Sequence, residues 1–504
     1  MPATQDGALP VRPASPPQRA LADLITRVAA LQVRASQPGV LLSGVTHDSR
    51  LVQPGDLYAA LPGAQTHGAH FVDQSVAAGA RAILTDPSGL ERALGAGVPV
   101  LLAADPRAVL GAVAACIYGD PAAAMLMLGI TGTNGKTTTA FLIEAGLRAA
   151  GHRTGLLGTV LTRIGDELLP SVRTTPEAPD LQALLAVMRE RGVTAVVMEV
   201  SSHALSLGRV DGVLFDTAVF TNLTQDHLDF HASMAEYEAA KAMLFTPARA
   251  RRAVVNVGDP AGQRLANSAT IAMTTYAAAV GGAADVELAD LELEAAGSSF
   301  RLTGQVQAAM QVALPGAFNV TNATAALVAL VVSGVDIAAA VAGIAALPGV
   351  PGRMERIDEG QPFLVLVDYA HTPDAVVTAL AAVRAVTANK VIIVLGCGGD
   401  RDRAKRPLMG AAATTGADLV ILTSDNPRSE DPQTIVDQMA AAAPGAVIRL
   451  DRADAIAYAV AQAQPGDVVL VAGKGHESGQ ERAGAVTPFD DRDVVRQALR
   501  SVLT

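Results

Sequence analysis

The stretch AMLMLGITGTNGKTTTAFLIEAGLRAAG, residues 124–151, constrains the fold more than any other part of the chain. AMLMLGI is a short apolar run suited to a buried parallel strand. TTTAFLIEAGLRAAG has apolar residues at helical spacing and stops at Gly151. Between them lies a glycine loop. Strand, loop and helix in this order predict an α/β unit with an anion site at the helix N-terminus, where free N–H groups and the helix dipole converge. The standard phosphate-loop spacing G-x-x-x-x-G-K-[ST] asks for a glycine five residues before Gly135, and the chain has Ile130 there. The chemistry survives that departure: Gly132 and Gly135 let backbone N–H groups close on an anion, and Lys136 and Thr137 follow at the usual positions.

The rest of the chain extends this pattern. From about Ala20 to Ala115, pieces such as GDLYAALPG and ARAILTD alternate in a small α/β unit. AVVMEV, TAVF and RAVVNV read as continuous apolar strands between helical segments, the pattern of a mostly parallel sheet covered on both faces. GGAADVELADLELEAAGSSFRLTGQVQAAMQVALPG alternates instead like antiparallel hairpins, and LPGVPGRME reads as a hinge near residues 347–353. Beyond it FLVLVDYA, KVIIVLGCGG, ADLVILTSD and DVVLVAGKG are four strands ending in polar or glycine residues, and in a doubly wound sheet ligands sit outside such ends. The expected fold class is α/β in three domains: residues 21–115, small; 116–349, of phosphate-loop type with a mostly parallel sheet; and 350–504, Rossmann-like. A Pro-rich start, residues 1–20, is expected to be unstructured.

A chain of 504 residues exceeds one hydrophobic core, and about 150 residues per domain also gives roughly three. Ala, Val and Leu must supply the cores, since aromatics are 3% and Trp is absent. The formal charge of −11 with no basic face argues against nucleic acid as a partner. Two cysteines, Cys116 and Cys397, make no disulfide framework. With no signal peptide and no long apolar span, a cytoplasmic protein without membrane insertion is expected.

Three further features carry chemistry. MEVSSHAL places Glu199 at the end of an apolar strand, where a carboxylate can hold a Mg²⁺ ion beside phosphates. TNLTQDHLDFH, residues 221–231, packs Asn222, Asp226, His227, Asp229 and His231 together and suggests a second cluster of metal ligands. In YEAAKAMLF, Lys241 lies on a helical face flanked by Ala and Leu rather than by acids; taken alone it reads as a surface lysine with its stem on apolar neighbours.

TGTNGKTT, EVSSHAL, TNLTQDHLDFH, YEAAKAMLF, LPGAFNVTNATAAL, VPGRMERI, VDYAHTPD, GCGGDRDRAKRP, TSDNPRSEDP and GKGHE, in this order, resemble the Mur ligase family of peptidoglycan synthesis, from about residue 40 to 493. Within that family they look like the members that add the third peptide residue, a diamino acid, to UDP-N-acetylmuramoyl-L-alanyl-D-glutamate. The family writes its glycine loop as TGTNGKT, so the loop is expected to bind ATP.

The resemblance implies a role for each matching position. Gly132, Thr133, Asn134, Gly135, Lys136, Thr137 and Thr138 would hold ATP, with Asn319, Asn322, Arg353 and Asp368 as further nucleotide contacts. Thr137, Glu199, His227 and Lys241, the last as a carbamate, would hold Mg²⁺; Lys136, Glu199, His227 and Lys241 form the catalytic set. Residues 21–115 would bind the UDP end through Ser49 and Gln65, and Thr174, Thr175, Ser201 and Arg209 would meet the rest of the UDP-sugar peptide. Arg401, Asp425, Asn426, Arg428, Gly473 and Glu477 would form the amino-acid pocket, and DNPR in this family goes with meso-diaminopimelate, with L-lysine or L-ornithine as the alternative. In this sequence His67 replaces an acid usual in the first-domain motif, and Leu207 stands where some relatives carry a polar residue. A monomer is expected. A folylpolyglutamate synthetase and the D-Ala-D-Ala adding ligase would share the loop but lack a counterpart of DNPR. A phosphate-loop motor would have no use for GCGGDRD, DNPR and GKGHE on successive strand ends.

Overall fold

The computed structural model describes residues 11–503 apart from 172, 279–282 and 295–296. Leu126–Thr131 is central to an eleven-stranded sheet, with Ala195–Glu199 on one side and Phe215–Phe220 on the other, both parallel to it. Thr154–Leu157, Ala250–Asn256 and Ala272–Ala277 extend the parallel part. Leu128 and Ile130 face a core closed by the helices Lys136–Ala149 and Ala317–Val332, while Met127 faces the core under Ala178–Glu190. Burial of both faces is why the strand is apolar at successive residues. Gly129 is forced by packing, because a Cβ there would lie 2.8 Å from the Phe215 ring. The expected hairpins form an antiparallel edge: Gly297–Gly304 pairs with Val286–Glu294 and with Ala308–Val312. Residues 281–282 and 295–296 of that stretch lie outside the described residues.

A five-stranded sheet contains Gly44–Thr46, Asp56–Ala60, Ala82–Thr85 and Val100–Leu102 in parallel, with Gln32–Ala35 as an antiparallel edge. The helix Pro106–Ile117 crosses the boundary expected at residue 115. A six-stranded sheet orders its parallel strands Leu364–Asp368, Val468–Ala472, Val391–Cys397, Leu419–Ser424 and Val447–Ile448, so the last long strand in sequence is inserted beside the first.

Two expectations change. Residues 1–10 lie outside the described residues, but 11–20 are anchored rather than unstructured. Arg12 pairs with Asp56 at 2.9 Å and donates to Tyr118 Oη at 2.7 Å, the N–H groups of Ala14 and Ser15 donate to Glu190 at 2.9 Å, and Arg19–Ala20 pairs with Leu41–Leu42. A carboxylate as buried as Asp56 needs a cationic partner, and that need outweighs the Pro-rich composition. The hinge also carries no slack: a Cβ on Gly352 would lie 2.1 Å from the N atom of His476, so the turn is wedged against the GKGHE loop. Among the described residues no helix is long and apolar enough to cross a membrane.

Candidate active site

Gly132 and Gly135 have φ of +150° and +86°, backbone that side chains avoid. Both are also closely packed. A Cβ on Gly132 would lie 1.9 Å from Thr221 Oγ1, and one on Gly135 2.4 Å from Asn322 Oδ1. Partners from elsewhere in the chain hold the loop between them: Asn134 N–H donates to Asn222 Oδ1 at 2.8 Å, and Thr221 Oγ1 to Asn134 O at 2.6 Å. Thr133 Oγ1 donates to Thr224 O at 3.1 Å, and Thr138 is buried in the first turn of the helix.

Lys136 Nζ donates to Gly132 O at 2.9 Å and Thr133 O at 2.8 Å. Desolvation lowers its pKa, against the pull of Glu199 and Asp226. Thr137 Oγ1 lies 3.0 and 3.1 Å from the two Glu199 carboxylate oxygens and accepts from Arg353 at 3.1 Å. Lys241 is the unusual group. It is 2% exposed, donates to Gly132 O at 2.8 Å and lies over the Tyr237 ring at 4.3 Å, with its pKa driven well down first by burial and then by Lys136. This corrects the surface reading of that helix face. His227 adopts φ +55°, and burial pushes its pKa down to about 4 against the opposing pull of Asp226, 3.5 Å away.

Glu199 and Thr137 together offer oxygen ligands, and His227 is neutral near pH 7. The adjoining Thr137 and Glu199 oxygens suit Mg²⁺, which takes few protein ligands and keeps phosphate oxygens and water for the rest. Among the described residues no three His, Cys, Asp or Glu side chains converge as ligands. The second ligand cluster expected in residues 221–231 is therefore corrected: Asn222 supports the glycine loop, and His231 is buried against Ser202 Oγ at 3.0 Å.

The nucleotide residues beyond the loop are nearby. Asn322 abuts Gly135 and is held by Asn319, whose Oδ1 accepts at 3.2 Å. Neither asparagine caps its helix, which begins after Gly316. Arg353 stacks on Tyr369 at 4.5 Å. Asp368 accepts from Met354 N–H at 2.7 Å and Ala370 N–H at 2.8 Å, with its pKa raised by burial against the Arg353 charge.

Three of the residues expected to meet the UDP substrate, Thr174, Thr175 and Ser201, gather around Glu199, and the fourth, Arg209, donates to Thr175 O at 3.4 Å. Thr174 Oγ1 is 3.0 Å from Thr159 Oγ1, which donates to Glu199 at 3.1 Å; Thr175 Oγ1 donates to Glu199 O at 2.8 Å and accepts from Ser201 N–H at 3.1 Å. Arg209 pairs with Glu177 at 2.9 Å, and Glu177 also meets Arg173 at 2.5 Å and Arg107, from the first domain, at 3.5 Å. Sequence reasoning missed Thr159, Arg107 and Arg173, because nothing local marks them as neighbours of Glu199 or Glu177. Ser49 and Gln65 follow the adjacent parallel strands Gly44–Thr46 and Asp56–Ala60. His67 caps the short helix that follows it: its Nδ1 accepts from Ala69 N–H at 2.9 Å and its Nε2 donates to Asp86 at 3.0 Å.

All six residues expected in the amino-acid pocket, Arg401, Asp425, Asn426, Arg428, Gly473 and Glu477, line one cavity of about 550 Å³ that also includes His227. Arg428 has φ +52°, donates to Gly399 O at 2.6 Å and lies 3.3 Å from Glu481. The two acids that follow it closely in sequence, Glu430 and Asp431, are engaged elsewhere. Glu430 binds the buried Arg406 at 2.9 Å and its pKa is held at about 2, and Asp431 caps a helix. Glu477 accepts from Asn426 Nδ2 at 2.7 Å and from Lys474 at 3.1 Å, so a buried lysine that sequence reasoning did not use stands behind the pocket wall.

Comparison with known proteins agrees with this geometry. Residues 41–118 match "Mur ligase family, catalytic domain", 130–330 "Mur ligase middle domain" and 352–475 "Mur ligase, glutamate ligase domain". A Streptomyces coelicolor protein named UDP-N-acetylmuramoyl-L-alanyl-D-glutamate--2,6-diaminopimelate ligase is 56% identical over 501 residues, 97% of this chain and 98% of its own length. One of the same name from Corynebacterium glutamicum is 49% identical over 481 residues, 92% of each chain. A solved structure, again of that name, superimposes with a TM-score of 0.67 at 36% identity, covering 94% of this chain and 98% of the other. With the glycine loop, the buried Lys241 and the four strand ends assembled in one chain along which three matched domains follow in order, the protein belongs to the Mur ligase family.

Proposed function

We propose that the protein is the ATP-dependent ligase that adds meso-diaminopimelate to UDP-N-acetylmuramoyl-L-alanyl-D-glutamate, forming ADP and phosphate, and that it works in the cytoplasm as a monomer. The observation that carries this reading is the one cavity lined by Arg401 and Arg428 together with Asp425 and Glu477, with His227 on its wall. A diamino acid with a zwitterion at its far end presents both a carboxylate and an ammonium. A guanidinium fork takes the carboxylate bidentately, and the acids accept from the ammonium. Lysine and ornithine lack the distal carboxylate and would leave Arg428 without its ligand partner.

The side-chain carboxylate of the D-glutamyl residue attacks the γ-phosphate of ATP to give an acyl phosphate. The amine of the diamino acid then attacks the acyl carbon, and phosphate leaves from the tetrahedral intermediate as the new amide forms. The loop Gly132–Thr138 cradles the phosphates. Lys136 exchanges its carbonyl partners for the β/γ-phosphates, and Arg353 steadies Thr137. Thr137, Glu199 and His227 would hold Mg²⁺, which supplies charge neutralisation at the transferred phosphoryl group. Burial of Lys241 favours its uncharged amine, the form that would add CO₂ with loss of a proton; the resulting carbamate would be an anion and so a Mg²⁺ ligand, which an ammonium is not. Ser49 and Gln65 hold the uridine end of the substrate, and Thr174, Thr175, Ser201 and Arg209 its sugar-peptide end.

The test is a panel of meso-diaminopimelate, L-lysine and L-ornithine offered with ATP and the UDP-dipeptide. Stoichiometric ADP with the diaminopimelyl product is the expected result. A preference for lysine or ornithine would overturn the choice of amino acid, and AMP formed in step with product would overturn the acyl-phosphate route.

A further inference from the structure

Lys474 stands at the end of Val468–Ala472 and is 0% exposed. Its Nζ donates to Gly479 O at 2.7 Å, Asn426 Oδ1 at 3.1 Å and Glu477 Oε2 at 3.1 Å, and lies 4.0 Å from Asp425. Three donors have three close acceptors, which is the full capacity of an ammonium. Asn426 is thereby fixed in orientation: its Oδ1 also accepts from Glu481 N–H at 2.9 Å, and its Nδ2 donates to the same Glu477 Oε2 that Lys474 holds. One carboxylate oxygen of Glu477 is thus held from two sides, while Oε1 has no partner among the described residues. Packing makes this meeting possible. Gly396 lies on the strand between the two loops, where a Cβ would come within 3.0 Å of Asp425, and a Cβ on Gly473 would come within 2.8 Å of Asp425 Oδ2.

We infer that Lys474 is a positioning residue for the amino-acid substrate: it holds Glu477 Oε2 and the Asn426 amide so that Glu477 Oε1 and the second Asn426 N–H face the cavity as a preset acceptor and donor. The ammonium of the incoming amino acid meets Oε1, and Lys474 itself touches no reacting atom. The inference rests on the function proposed above. It assigns Lys474 an effect on amino-acid binding and none on nucleotide or UDP-substrate binding.

The experiment compares wild type with Lys474→Met, Glu477→Ala and the double variant, using steady-state kinetics in which each of the three substrates is varied. The expected result for Lys474→Met is a KM for meso-diaminopimelate raised on the order of tenfold, as for loss of a charged hydrogen bond, with KM for ATP and the UDP-dipeptide within about twofold of wild type. Because Lys474 acts through Glu477 and Asn426, the double variant should lose less than the product of the two single penalties. An unchanged KM for the amino acid, penalties that multiply in the double variant, or equal increases in all three KM values would overturn the inference. Should Lys474→Met not fold, Lys474→Gln keeps two of the three N–H donors and serves in its place, with a smaller increase confined to the amino acid. A wild type that does not accept diaminopimelate would overturn the functional reading together with this one, whereas an active wild type with an indifferent variant overturns the role of Lys474 alone.

Discussion

At the phosphate corner Lys136 and Lys241 donate to backbone carbonyls of the glycine loop, and neither has a carboxylate within ion-pair distance among the described residues. Around the amino-acid pocket the cations are mixed: Arg428 on the wall is paired with Glu481, and behind the wall Lys474 is paired with Glu477 and Arg406 with Glu430, while Arg401 and Lys405 on the wall donate to the backbone carbonyls of Asp400 and His371. The ligands differ in the same sense. A nucleotide triphosphate brings several negative charges, and a buried cation already paired to a carboxylate would have to lose that pair to meet them. An amino-acid zwitterion brings no net charge at its far end, so its pocket can keep a paired cation such as Arg428 and loses little when it binds. The phosphate corner thus keeps both of its lysines clear of carboxylates, as a polyanion requires, whereas the amino-acid pocket combines paired and unpaired cations.

The largest effect that would break this contrast is at Lys241. Lys241→Ala should lower kcat on the order of 10²- to 10³-fold, the scale for losing one electrostatic stabiliser, and short-chain carboxylic acids added to the assay should restore part of it. Normal turnover by the alanine variant would make the lysine a packing residue and remove one side of the comparison.

Arg428→Ala comes next. We expect kcat/KM for meso-diaminopimelate to fall about 10- to 100-fold while that for L-lysine changes less than about threefold. Equal losses on both amino acids would show that Arg428 matters for the turn it makes at φ +52° and not for a carboxylate.

Glu481→Gln sharpens the other side. Its carboxylate is 36% exposed and 3.3 Å from Arg428, a pair of the kind worth about 0–1 kcal/mol, so kcat/KM for diaminopimelate should change by less than about threefold. A larger loss would mean that the pairing orients Arg428 and that the pocket depends on its internal salt bridges.

The smallest effect is on stability. Burial pushes the His476 pKa down to about 3, and burial with the Lys405 charge lowers that of His371. Both groups bind a proton more readily when unfolded, where the ordinary value is 6.5. Stability is therefore complete above that value and declines as pH falls toward the folded pKa. The urea midpoint should drop between about pH 7 and pH 4.5, and His476→Gln should flatten part of the slope. A midpoint independent of pH in that window would contradict the assignment.

Much of the central domain could be read in order along the chain. Strand, glycine loop and helix are local in sequence, and Ile130 in place of the expected glycine is a buried strand residue while Gly132 carries the turn. The environment of Lys241 was less legible. Alanines and leucines beside it describe either a surface lysine or a buried one, and only its contact with Gly132, 109 residues away, decides. Residues 11–20 misled in the opposite direction, because their composition says nothing of the Asp56 carboxylate, 44 residues from Arg12, that binds them down.

The sequence by itself determined which segments are strands and helices, where positive φ requires glycine, and which residue types gather at strand ends, because backbone sterics and hydrophobic periodicity act over a few residues. Only the tertiary structure decided which of those ends are neighbours. Val468–Ala472 inserts between Leu364–Asp368 and Val391–Cys397, out of sequence order, and Gly396 and Gly473 leave room for the loops above them to touch. That placement brings Lys474 to Asn426, 48 residues earlier, and turns four separate motifs into one pocket. Charge pairing depends on distance in space, and no local pattern encodes the distance between strands whose order the whole sheet sets.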